Sequence, residues 1–160
     1  MFKKYYTEKE LQIIQNTKIG IAGAGGIGSN IANILVRSGF KNFEILDHDI
    51  VEISNLNRQQ YFLNDIGKHK VDALEENLKK INPEIIVKKH KIELTRKNAK
   101  DFFQNANILF EAFDNIKSKK IMLEEFGNTE TTLISCNGMA GISNKTEIKI
   151  RKIKTTLCKL

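Results

Sequence analysis

The chain has 160 residues, 41% hydrophobic and 28% charged, with a net charge of +7. That is enough for one domain with its own core, and too apolar for a disordered polymer. No apolar run reaches the roughly 18 residues of a membrane span, no hydrophobic signal core opens the chain, and two cysteines, Cys136 and Cys158, cannot build a disulfide scaffold or a four-thiolate zinc site. The expectation is a single cytoplasmic domain over 1–160, without zinc or membrane.

Taken in chain order, Thr7 to Glu10 reads as a capping box that opens a short helix within 1–17. Ile19 to Ala22 is a short apolar strand ending in a glycine cluster. Ile27, Ile31, Ile34 and Leu35 then recur at helical spacing up to Gly39. Phe43 to Leu46 is the second strand, followed by a polar loop from Asp49 to Lys68, long enough to suggest function. Val71, Leu74, Leu78 and Ile81 mark a helix closed by Asn82-Pro83. Ile85 to Val87 predicts a third strand, and Thr95 predicts the cap of a helix carrying Ala99, Phe102 and Phe103. A fourth strand covers Ile108 to Phe110, a helix carries Ile121, Met122 and Phe126, and a fifth strand covers Thr132 to Ile134. Such alternation predicts an α/β, Rossmann-like doubly wound and mostly parallel sheet with helices on both faces.

Beyond Gly138 and Gly141, Ile148, Ile150 and Ile153 alternate with charges, which suits a C-terminal edge strand. The segment 145–160 holds six cations against Glu147, so it supplies +5 of the net charge and the remaining chain is nearly neutral. Only four of the 26 basic residues are arginine, and no aromatics interleave with them, so nucleic-acid binding is not expected.

Gly23-Ala24-Gly25-Gly26-Ile27-Gly28 fits the G-x-G-x-x-G pattern between a strand and a helix. Small residues there let the backbone approach a phosphate at a helix N-terminus. Asp47, 19 residues past Gly28, stands where a carboxylate accepts from ribose hydroxyls. These residues alone say "nucleotide", and NAD is the usual partner of such a loop. Three further features fall on the same side of the predicted sheet. Asn55 and Arg58, within Ser54 to Gln59, suit phosphate oxygens. Lys70 opens a helix as a positive charge. Asp114 and Asn115 follow the fourth strand, where Asp114 can serve as a hard ligand for Mg²⁺ or either residue can cap the next helix.

In order and spacing, Gly23 to Ser29, Asp47-His48-Asp49, Ser54 to Gln59, Gly67 to Lys70 and Asp114-Asn115 resemble the ThiF/MoeB/HesA family, bacterial relatives of the ubiquitin-activating enzymes. The stretch from Val36 to Phe43 is most similar to short-form ThiF proteins, adenylyltransferases for the sulfur carrier ThiS in thiamine synthesis. The resemblance implies a homodimer that uses ATP and Mg²⁺ to adenylate the C-terminal glycine of a ThiS-like ubiquitin-fold carrier. Gly23, Gly25, Gly26 and Gly28 would then pack against phosphates and Asp47 would hold the ribose, with Asp49 beside it. Asn55, Arg58 and Lys70 would hold the triphosphate, and Asp114, next to Asn115, would bind the metal, with Arg58, Lys70 and Asp114 carrying the chemistry. The chain departs from the family in lacking zinc cysteines and any arginine before Arg37. Cys136 reads as a buried small residue, and His48, His69 and His90 form no ligand spacing. Two rivals stand beside this reading: a nicotinamide-dependent oxidoreductase on the same glycine loop, and a non-catalytic module that holds nucleotide or carrier.

Overall fold

Five short strands, β1 (Lys18–Ala22), β2 (Asn42–Leu46), β3 (Ile86–His90), β4 (Ile108–Glu111) and β5 (Thr132–Ser135), pair in parallel in the order β3-β2-β1-β4-β5. Four helices accompany them: α1 (Glu8–Asn16), α2 (Gly26–Arg37), α3 (Lys70–Ile81) and α4 (Ile116–Phe126). The computed structural model describes residues 2–136. The expected edge strand around Ile148 to Ile153, the basic end 145–160 and Cys158 lie outside them.

Side-chain alternation along each strand divides the core between two faces. Ile19, Ile21, Phe43 and Ile45 point to the face covered by α2 and α3, where Ala32, Val36, Val71, Leu74 and Leu78 meet them. Ala22, Leu46 and Leu109 point the other way, against Leu94, Phe102, Phe103, Ile121, Met122 and Phe126. Most of these side chains are almost wholly buried, the larger ones each adding about 1.5–3 kcal/mol of apolar transfer free energy. The doubly wound expectation is met, with helices α2 and α3 on one face and α4 on the other.

Two elements differ from the sequence reading. The helix expected after Thr95 is only a 3-10 turn over Ala99–Asp101. The cause is Phe103, whose φ of 59° leaves the helical region. That kink lets the consecutive rings of Phe102 and Phe103 both enter the core, 6.4 Å apart, where a helix would turn their side chains about 100° apart. Strand β3 runs past Val87 to His90, because Lys88 and His90 are held by Glu44 of β2 while Lys89 reaches Asp72 and Glu75 of α3. Charged partners sustain this edge strand, so apolar content marks only its start.

Candidate functional site

The strand order reverses between β1 and β4, and in open parallel sheets a crevice forms at that point beyond the carboxyl ends. Here the glycine loop leaves β1. Gly23 has a φ of +99°, and a Cβ added to it would stand 2.9 Å from the Ala112 carbonyl oxygen beyond β4. At Gly28 an added Cβ would stand 1.8 Å from the Gly23 carbonyl oxygen, so that position seals α2 against β1. Gly25, which precedes the first turn of α2, is different: an added Cβ would meet nothing within 4 Å. Its side is open, and the first amides of α2 lie beside that space with the positive end of the helix dipole. Gly26 lies under the stem of Arg58, whose Cγ, Cδ and Nε would be 3.6 to 3.8 Å from its Cβ.

The long loop after β2 is firmly bonded. Its ends are clamped by an antiparallel bridge between Ile50 and His69, with Val51 N–H donating to Lys68 O at 2.8 Å. Its middle is organised by the buried carboxylate of Asp65, which accepts from Phe62 N–H at 2.9 Å and from Asn77 of α3 at 2.6 Å. These donors and Lys68 outweigh burial and hold Asp65 below the usual carboxylate range. The loop also grips the glycine loop. Tyr61 donates its hydroxyl to Ala24 O at 2.6 Å, Gln60 N–H donates to Ser29 Oγ at 3.1 Å, and the Asn30 amide donates to Arg58 O at 2.9 Å. Burial, reinforced by three nearby carboxylates, pushes the Tyr61 phenol far above its ordinary range, so it remains a donor.

Each residue singled out in the sequence has a distinct place. Asp47 is buried, and its two oxygens accept from Ala24 N–H at 2.7 Å and Asp49 N–H at 2.8 Å. Burial raises its carboxyl above the ordinary value despite these donors. Lys70 is also buried, with Nζ 2.7 Å from Asp49 Oδ2, so it is a fixed charge with a half-exposed counterion. Asn55 is buried; its side-chain oxygen accepts from Glu52 N–H at 3.0 Å. Arg58 is exposed and, among the described residues, spends only Nη1, on Ser54 O at 3.1 Å and Asn57 Oδ1 at 2.9 Å. Asn115 caps α4, accepting from Ser118 N–H at 2.8 Å. Asp114 therefore is not the cap: it is exposed, with no protein partner among the described residues.

Asp47, His48 and Asp49 offer donor atoms within 4.8 Å of one another. The oxygens of Asp47 are held by backbone amides and those of Asp49 by Lys70 and His48, whereas Asp114 is uncommitted among the described residues. Cys136, expected to be buried, is half-buried just past β5, and burial raises its thiol pKa away from thiolate chemistry. His90 packs tilted on Phe102 with centroids 4.5 Å apart, a structural role, while His48 and His69 are exposed. Many lysines near β3 are paired with acids: Lys41 with Glu84, Lys68 with Glu76, Lys88 with Glu44, and Lys89 and Lys91 with Asp72. An open groove of about 230 Å³ does exist at the opposite end of the sheet, between Lys18, Asn42, Glu44, Ile86 and Asn105, far from the glycine loop. No described helix is long and apolar enough to cross a membrane.

Tyr61, Asp65 and the Asn30–Gln60 pair were not legible as site residues. The one signal pointing to them was the improbable length of a loop without regular structure.

Comparison with known proteins converges on one family. The model of the ThiF family matches residues 1–158. The tRNA threonylcarbamoyladenosine dehydratase of Bacillus subtilis is 32% identical over 148 residues, 91% of this chain and 58% of that protein. The adenylyltransferase and sulfurtransferase UBA4 of Saccharomyces cerevisiae is 31% identical over 129 residues, 79% of this chain and 29% of that protein. Among solved structures, the Escherichia coli tRNA N6-threonylcarbamoyladenosine dehydratase TcdA in complex with ATP superposes with a TM-score of 0.78 at 28% identity, covering 82% of this chain and 55% of that one. The chain thus spans little more than half the length of these bacterial relatives.

Proposed function

The chain belongs to the ThiF family, and we propose that it binds ATP with Mg²⁺ and adenylates an acceptor carboxylate, releasing pyrophosphate. What carries the reading is the division of labour at the start of α4. Asn115 satisfies the helix, so the neighbouring Asp114 is free to hold a cation at the crevice where the glycine loop opens. The donor set fits such a ligand: an open cradle at Gly25, one exposed guanidinium, one buried ammonium and one hard carboxylate.

In this reading Gly25 and Gly26 present the first amides of α2 to phosphate oxygens, next to Gly23 and Gly28, which shape the loop. Asp47 can still accept from ribose hydroxyls, since each oxygen has capacity for a second donor. Asn55, Arg58 and Lys70 hold the triphosphate. Asp49 keeps Lys70 in place as its counterion, and Asp114 holds Mg²⁺. The metal, when bound, offsets phosphate charge. An acceptor carboxylate is already ionised at neutral pH, with a pKa of about 3.3–3.7 for a chain terminus, so no general base is required. Its oxygen attacks the α-phosphorus, and the bond to the leaving pyrophosphate breaks with its electron pair. Alignment and fixed positive charge supply the catalysis.

Two acceptors have support. The sequence resemblance favours the C-terminal glycine of a ThiS-like sulfur carrier. The names of the bacterial relatives favour the threonine-derived carboxylate of a modified tRNA, for which adenylation would create the leaving group that a dehydration needs. Carrier-dependent ATP–pyrophosphate exchange selects the first, and exchange only with modified tRNA selects the second. Asp114→Ala and Arg58→Ala should abolish exchange while leaving the fold intact; retained exchange in both refutes the site. Saturable NAD binding without a response to MgATP would restore the oxidoreductase reading. A second copy of the chain fits the exposed apolar side chains of Ile53, Phe62 and Leu63 on the loop that borders the site.

A further inference from the structure

We infer that Glu111 is a positioning residue, whose buried carboxylate sets the turn that presents Asp114 to nucleotide-bound Mg²⁺. The inference rests on the reading of Asp114 given above. Glu111 ends β4 and is fully buried, where a carboxylate is costly unless every lone pair is used. Its Oε1 accepts from Phe113 N–H at 2.8 Å and from Lys119 Nζ at 3.0 Å. Its Oε2 accepts from Lys119 Nζ at 3.0 Å and from Ser135 Oγ at 2.5 Å. Lys119 also donates to the Cys136 carbonyl at 2.6 Å. The ends of β4 and β5 and the first turns of α4 therefore converge on one side chain.

The chain joining β4 to α4 is the short turn from Ala112 to Asn115. Glu111 fixes its start through Phe113 N–H, and the Asn115 cap fixes its end. Ala112 is anchored as well, its N–H donating to the Ala22 carbonyl of β1 at 2.8 Å. Asp114 is the one residue of that turn whose side chain is uncommitted, held between two anchored neighbours. An apolar residue would fill the site of Glu111 without the desolvation cost of a buried charge, so stability alone gives little reason for an ion pair here. Placing a metal ligand to within about half an ångström does.

The test measures ATP affinity of the full chain by calorimetry, with excess Mg²⁺ and with EDTA, and takes the ratio of the two dissociation constants as the metal's contribution. The variants are Glu111→Gln, the double variant Glu111→Leu with Lys119→Met, which removes both charges together, and Asp114→Asn as reference. The expected result is metal-free ATP affinity within twofold of the parent in both Glu111 variants. The metal's contribution should fall at least fivefold in both Glu111 variants and further in Asp114→Asn. Equal weakening with and without metal would make Glu111 merely structural and overturn the proposal. So would an unchanged ratio in the Glu111 variants while Asp114→Asn loses it. An unchanged ratio in Asp114→Asn would overturn the reading of Asp114 itself, and the proposal with it. Glu111→Gln preserves side-chain shape and keeps the test decisive should the double variant fail to fold.

Discussion

Substituting the glycine loop one residue at a time separates fold from ligand. At Gly28 a Cβ would lie 1.8 Å from the Gly23 carbonyl oxygen, about half an ordinary non-bonded distance, and both groups belong to backbone. Helix α2 must lift from β1 to admit it. Overpacking of this kind costs about 3 kcal/mol or more. With about 2–4 °C lost per kcal/mol in a domain of this size, Gly28→Ala should lower Tm by about 6–12 °C. At Gly25 the Cβ meets nothing, φ is −79°, and the loss of a preferred cap residue, about 0.5–1 kcal/mol, is offset by reduced freedom of the unfolded chain. Gly25→Ala should therefore melt within about 3 °C of the parent, yet bind ATP at least about tenfold more weakly, because the methyl occupies the space a phosphate needs beside the helix amides. Thermal melts with and without MgATP read both quantities. If Gly25→Ala retained full ATP affinity, or melted as low as Gly28→Ala, the assignment of the open side to the ligand would be wrong.

Three further outcomes follow from particular contacts. Tyr61→Phe leaves the buried Ala24 carbonyl without its donor and should cost about 1–3 kcal/mol in urea unfolding at unchanged m-value; a loss below about 0.5 kcal/mol would show that the hydroxyl does not pin the glycine loop. Partial burial works against the charge of Asp72, but Lys89 and Lys91 outweigh it and hold its pKa below the usual carboxylate range. Its contribution is thus present above the unfolded value of about 3.9 and is lost as pH falls through the lower folded value. Asp72→Asn should cost about 1 kcal/mol at pH 7 and progressively less below pH 4, in denaturant titrations across pH; a constant difference down to about pH 2 would contradict it. Phe62→Asp, on the exposed apolar stretch of the loop, should shift the chain to monomer in sedimentation equilibrium without changing its circular dichroism. A parent already monomeric at high concentration removes the paired-copy reading.

The elements that sequence periodicity specifies are those whose buried positions are apolar: β1, β2, β4, α2 and α3 stand within two residues of their expected places. Where charge or backbone conformation decides, periodicity is silent. Lys88, Lys89 and His90 extend β3 because acids on β2 and α3 receive them. The two phenylalanines after Asp101 look helical until the positive φ of Phe103 turns both into the core. The site shows the same division. Gly23, Asp47 and Asp114 are readable because each closely follows the end of a strand, and Arg58 because it belongs to a polar loop too long for a plain connection. Tyr61 and Glu111 are not, since their roles depend on which distant backbone group comes within hydrogen-bond reach. Only the structure decides between Asp114 and Asn115 as the helix cap.

The bonds that tie Tyr61, Gln60 and Arg58 to the glycine loop and the first turns of α2 have a consequence for how this region opens. A stretch of some twenty residues without regular helix or strand is ordinarily the first part of a domain to exchange its amide hydrogens, opening alone at small free energy. Here its release requires Ala24, Ser29 and Arg58 to lose their partners together, so it is coupled to the start of α2 and to β1 behind it. The glycine loop and the long loop that borders it open as one unit with the core of the sheet. A ligand entering this crevice finds its walls already in place and gives up little conformational entropy of the protein to be held.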